Sequence, residues 1–192
     1  MALGSIIQDK MDYDAALLKY RIAAIHNPDS SEMWNNIGMC FYGKKKFVAS
    51  IACLKKALYL DPFQWIAAFN LGLVHLTQKQ YASAFHYFSV AINWKADFSN
   101  SYMYLGITLN KLNDFESACK AFEKAISLEP NDCTIFLNYA IVIYNRGYHK
   151  LAYKLFKKSE AIIQDMDKES REPEMMEQRE LLAEKFDHQL ND

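Results

Sequence analysis

Four cysteines and five histidines are the residues of this 192-residue chain best suited to hold a metal or attack a substrate. Cys40, Cys53, Cys119 and Cys133 form no C-x-x-C, and none stands at metal-ligand spacing from a histidine. "MALGSIIQDK" lacks the basic start and long apolar stretch of a secretion signal, so the thiols read as reduced core residues. His26, His75, His86, His149 and His188 are scattered, and His75 stands on an apolar helical phase, as a packed imidazole would. Carboxylates pair at Asp12/Asp14 without an evident cleft. No H-E-x-x-H, G-x-S-x-G, phosphate loop or dinucleotide glycine pattern occurs. The sequence therefore predicts no enzyme, no cofactor and no metal site. What remains is binding.

The elements that would carry a binding surface are helices. Apolar residues recur at i, i+3, i+4 and i+7 nearly throughout, with six glycines and four prolines in all. The net charge of −1 and pI near 6.5 give no global case for nucleic acid. The charge is uneven: residues 1–164 carry 18 Lys/Arg against 13 Asp/Glu, and residues 165–192 carry 4 against 10. No apolar run reaches transmembrane length, so membrane contact is at most peripheral.

A 34-residue clock organises the helices. Pro28, Pro62 and Pro130 stop the pattern at one phase. Gly38, Gly72, Gly106 and Ala140 share a second phase, where a small residue lets a paired helix approach closely. Ala23, Ala57, Ala91 and Ala125 share a third. Tyr20, Leu54, Phe88, Phe122 and Phe156 fill the space between helices. One such pair cannot bury these faces alone, so stability grows by stacking.

These residues resemble the tetratricopeptide repeat, over residues 12–160. The resemblance implies an all-α superhelical solenoid of antiparallel helix pairs with a C-terminal helix. The divisions read as half a repeat at 1–30 (second helix only) and repeats at 31–64, 65–98, 99–132 and 133–163. An acidic linker at 164–174 and a C-terminal helix at 175–192 follow. Met175, Leu181, Leu182 and Phe186 share one face of that helix, as a cap or a partner-binding helix.

The repeat implies a concave groove lined by first helices. In this register Phe69, Leu73, Met103, Ile107, Leu137, Ile141 and Tyr144 face it. Asn70 and Asn138 lie one position away, without the basic partners of a carboxylate clamp. The groove is apolar and suits a partner helix or a neighbouring protein. "GKKKF" (Lys44, Lys45, Lys46) reads as a solvated inter-helix loop, with contact to acidic lipid or an acidic partner as the alternative.

Longer strings go beyond the repeat consensus. "MWNNIGMCFYGKKKFVASIACLKKALYLDPFQW" (33–65), "FNLGLVHLTQKQYASAFHYFSVAIN" (69–93) and "ALLKYRIAA" resemble the Bardet–Biedl syndrome protein 4 family, tetratricopeptide subunits of the BBSome. That resemblance implies a non-catalytic scaffold or adaptor without cofactor, in ciliary membrane-protein trafficking and cilium assembly. Its partners would be other subunits of a BBSome-like complex, with centriolar-satellite and dynein–dynactin proteins. Its location would be the cytoplasm, the centrosome and centriolar satellites, the cilium base and the ciliary membrane. The alternatives are a centrosomal scaffold apart from the complex and a repeat domain serving an enzyme complex. Members of that family have further repeats on both sides, whereas this chain opens on half a unit and reads as a fragment, splice form or truncated gene product.

Overall fold

The computed structural model describes residues 13–167 and 171–191, with side chains described as far as Phe186. The readings of residues 1–12, Asp12 included, and of the His188 side chain lie outside the described residues. Every regular element among the described residues is a helix. The chain divides into two units, Met1–Asp97 and Phe98–Asp192.

The first unit contains α1 (Tyr13–His26), α2 (Ser31–Gly43), α3 (Phe47–Leu60), α4 (Trp65–Thr77) and α5 (Tyr81–Trp94). Helices α2 and α3 pair, as do α4 and α5; α1 packs on α2, and α4 packs on both α2 and α3. The glycine phase explains the pairing distance. A β-carbon on Gly38 would stand 2.7 Å from Leu54 Cγ, and one on Gly72 would stand 2.5 Å from Phe88 Cε1. Leu54, Ala57, Phe88 and Ala91 are fully buried and form the core, whereas Ala23, on the phase of Ala57 and Ala91, is exposed. One face of α1 differs: Leu18, Ile22 and Ile25 are exposed.

The second unit contains α6 (Ser99–Lys111), α7 (Phe115–Leu128), α8 (Cys133–Asn145), α9 (His149–Asp165) and α10 (Pro173–Asn191). Helices α6 and α7 pair, α8 and α9 pair, and α8 packs on both α6 and α7. Gly106 repeats the device, its missing β-carbon 2.8 Å from Phe122 Cδ2. The Phe122 and Tyr139 rings stack at 4.9 Å.

Helix α10 packs back on α8. Its first residue is Pro173, whose missing N–H costs nothing at a helix start. Met175, Leu182 and Phe186 are buried. The Phe186 ring lies 5.1 Å from Tyr144, 5.3 Å from Tyr153 and 5.5 Å from Phe156. Arg179 Nε donates to Glu160 Oε1 at 2.7 Å, fastening the same helix to α9. The helix is a cap. Leu181, placed by its sequence on the apolar face, is 53% exposed. The buried stripe runs 175, 182, 186, and Leu181 lies one residue, or about 100°, away from it.

The turns within pairs share one hydrogen-bond pattern. Lys46 N–H donates to Phe41 O and Lys45 N–H to Tyr42 O, both at 2.8 Å. The same two bonds close the turns at Lys79–Gln80, Asn113–Asp114 and Gly147–Tyr148. This is the Schellman ending, which places one residue in left-handed backbone. Those residues are Lys45 (φ 57°), Lys79 (φ 58°), Asn113 (φ 65°) and Gly147 (φ 86°), one every 34 residues. Ser30 and Asp132, between pairs, and Asp114, within the α6–α7 pair, accept backbone N–H bonds as helix N-caps.

Candidate protein-interaction surface

Three of the four cysteines and His75 are used for packing, whereas Cys119 is half-buried and His26, His86 and His149 are exposed. Cys40, Cys53 and Cys133 are buried. Burial pushes the Cys40 thiol up to about 11 and raises Cys53 and Cys133 as well, the reverse of an activated nucleophile. His75 is buried, its Nδ1 2.6 Å from Gln80 Oε1 and its ring stacked on Tyr87 at 5.3 Å. No group of three His, Cys, Asp or Glu converges among the described residues. In the second unit a cleft of about 490 Å³ is lined by Glu129, Asp132, Cys133, Met166 and Met175, among others. Three of its polar side chains have partners of their own. Glu129 accepts from Ser99 Oγ at 2.6 Å, Asp132 caps Thr134 at 2.7 Å, and Cys133 Sγ contacts Met166 Sδ at 3.5 Å.

The apolar groove candidates divide by depth. In the first unit, Phe69 and Leu73 on α4 are half-buried, with Phe69 tilted against the fully buried Phe88 at 5.7 Å. In the second unit, Ile107 on α6 and Ile141 and Tyr144 on α8 are half-buried, whereas Met103 and Leu137 are buried at 3% and 0% exposure. The deeper two hold α6 and α8 together: Asn138 Nδ2 on α8 reaches Met103 Sδ at 3.7 Å. Tyr144 is partly covered by the cap, with its hydroxyl 3.5 Å from Lys185 O. The half-buried candidates are thus Phe69 and Leu73 in the first unit, and Ile107, Ile141 and Tyr144 in the second.

The asparagines beside these positions have bonds of their own. Asn70 Nδ2 donates to Asn35 Oδ1 at 2.8 Å, and both side chains are buried. Asn138 donates to Thr134 O at 2.9 Å. Neither amide is free to receive a peptide carboxylate. Sequence reasoning missed the Asn35–Asn70 pair, whose spacing of 35 residues is one repeat plus one position.

The first unit carries a second exposed aromatic feature. Trp94 and Phe63, 51% and 61% exposed, meet edge-to-face at 4.5 Å. Phe63 is fixed by the Asp61 side chain, which accepts its N–H at 3.0 Å. Trp65 is half-buried.

Helix pairs stacked by interlocking small and aromatic phases define a tetratricopeptide-repeat protein. Residues 31–64 and 99–132 each match the tetratricopeptide repeat family. Within that class the chain is similar to the BBSome complex member BBS4 of Mus musculus, 49% identical over 160 residues, covering 83% of this chain and 31% of that relative. The BBSome complex member BBS4 of Xenopus tropicalis is 47% identical over 172 residues, covering 88% of this chain and 33% of that protein. The chain thus spans about a third of the length of these curated relatives. Among solved structures, MamA superposes with a TM-score of 0.71 at 23% identity, covering 86% of this chain and 96% of that one. That likeness is one of fold. No described helix is long and apolar enough to cross a membrane.

Proposed function

We propose that this chain is a non-catalytic scaffold or adaptor piece of a BBSome-type complex, working in ciliary membrane-protein trafficking and cilium assembly. The observation that carries the reading is 49% identity over 160 residues to a protein named as a BBSome complex member. The chemistry agrees with it: buried thiols, a packed imidazole and internally paired amides leave a surface suited to protein contact. The other subunits of such a complex are its partners in this reading. Centriolar-satellite and dynein–dynactin proteins are further partners, and the cytoplasm, centrosome and cilium base its places of work. Phe69, Leu73, Ile107, Ile141 and Tyr144 make the apolar contact, with Met103 and Leu137 shaping it from below.

The test is affinity purification of the tagged chain from ciliated cells, followed by mass spectrometry. BBSome subunits are expected in the eluate. A Phe69→Asp/Ile107→Asp variant, shown to be folded by circular dichroism, is expected to lose them. A folded variant that keeps every subunit overturns the groove assignment. A wild-type chain that brings down none overturns the assembly reading.

A further inference from the structure

The turns of the first unit carry a feature that packing does not explain. Helices α2 and α4 pack together, and the Tyr42 and Thr77 hydroxyls, each just before the turn that ends its helix, are 2.9 Å apart. The α2–α3 and α4–α5 turns therefore lie side by side. Between them they carry Lys44, Lys45, Lys46 and Lys79. Lys44 pairs with Asp14 of α1, whose carboxyl is held below its usual range chiefly by the bond from Lys44, with a smaller contribution from the Lys46 charge. Lys45, Lys46 and Lys79 are exposed and make no ion pair among the described residues. The other described carboxylates of this unit (Asp29, Glu32, Asp61 and Asp97) belong to the loops and first turns at the opposite helix ends. Val48, two residues past Lys46, is 85% exposed.

Backbone conformation adds an independent observation. Lys45 and Lys79 hold the left-handed position that Asn113 and Gly147 occupy in the second unit. Left-handed backbone strains any residue with a β-carbon, is tolerated by asparagine and suits glycine. The first unit keeps lysine there twice. Strain retained at two equivalent positions points to a use for the side chains. The second unit shows the contrast: its Arg146 is turned onto Asn110 Oδ1 at 3.1 Å and onto the Phe115 ring.

We propose that this edge of the first unit docks on an anionic bilayer, with Lys45, Lys46 and Lys79 against lipid phosphates and carboxylates and Val48 in the headgroup layer. Lysines on exposed turns beside a bare apolar side chain suit a lipid surface. An acidic polypeptide is better gripped by the fork of arginine. This edge is separate from the apolar groove and from the assembly reading, and either can fail alone.

The experiment is flotation of the whole chain with phosphatidylcholine vesicles, with and without phosphatidylserine. Binding is expected only with phosphatidylserine and is expected to weaken with added salt. Lys45→Gly/Lys79→Gly is expected to lower partitioning about fivefold per lysine, roughly 25-fold together. The same variant should unfold at an equal or higher temperature, since the strain is relieved. Undiminished binding by that variant, or equal binding to neutral vesicles, overturns the proposal. Lysine-dependent binding of polyglutamate by a chain that ignores both vesicles also overturns it, and makes the edge a protein-docking surface instead.

Discussion

Gly72→Ala tests whether close helix approach is the reason for the glycine phase. The added β-carbon would stand 2.5 Å from Phe88 Cε1, 2.6 Å from Cδ1 and 2.9 Å from Cζ. Phe88 is fully buried and lies against Phe69, so its ring has nowhere to retreat. Alanine improves helix propensity by about 1 kcal/mol. Overpacking a full core costs about 1–3 kcal/mol, and three ring atoms within 3 Å put this site at the upper end. The net expectation is a loss of about 1–2 kcal/mol, or about 2–8 °C in midpoint for a chain of this size. Urea unfolding followed by circular dichroism reads it, and Phe88→Ala provides the second arm. That variant costs about 3–5 kcal/mol alone. With the ring gone, Gly72→Ala should reverse sign and stabilise by up to about 1 kcal/mol. A gain of the same size in both backgrounds would refute the close-approach argument.

Three further expectations follow from the same geometry. Gly147→Ala should destabilise by about 1 kcal/mol although its β-carbon would meet nothing within 4 Å, because the cost lies in the left-handed φ of 86°; Lys79→Gly should gain a similar amount, read by the same unfolding curves. Phe186→Ala removes a ring shared by Tyr144, Tyr153 and Phe156 and should cost about 3–5 kcal/mol, with faster amide exchange in α10. Leu181→Ala on the same helix should change stability by less than about 0.5 kcal/mol. Asp14 has its folded-state pKa lowered by Lys44, so its contribution is present above the ordinary carboxylate pKa and lost as the pH falls through the folded value. The protection factors of α1 amides, corrected for the intrinsic pH dependence of exchange, should therefore fall on acidification, and Asp14→Asn should abolish that fall.

The fold was legible because packing demands recur. Gly38, Gly72 and Gly106 each face the large apolar side chain sixteen residues on, and a demand repeated at one phase is visible without any structure. Depth within the groove was less legible. Phe69, Met103 and Leu137 share a phase, yet only Phe69 remains half-buried. Met103 is reached by Asn138 of the next first helix, and no single helix pattern contains that contact. Leu181 was misplaced for a related reason: a face drawn through four apolar residues ignores where the neighbouring helices stand. The strained lysines left a signal that only the period reveals. Positions 45, 79, 113 and 147 form one phase, and the asparagine and glycine of its last two members mark the conformation that its first two must adopt.

That phase separates two kinds of constraint within one repeat. At Gly72 the fold and the residue agree: glycine costs helix propensity of about 1 kcal/mol, and the approach of Phe88 repays it. At Lys79 they disagree, because glycine would serve the turn better and the lysine side chain is exposed. Neither the pairing of α4 with α5 nor the burial of the core depends on the Lys79 charge, which is exposed. In the proposal above, the Lys79 side chain serves a lipid surface outside the fold. Lys45, one repeat earlier and on the neighbouring turn, meets the same condition, so that contact extends along the edge rather than acting at one point. The two proposals thus assign surfaces of different chemistry, apolar side chains for a protein partner and exposed lysines for a charged sheet, and each can be tested without the other.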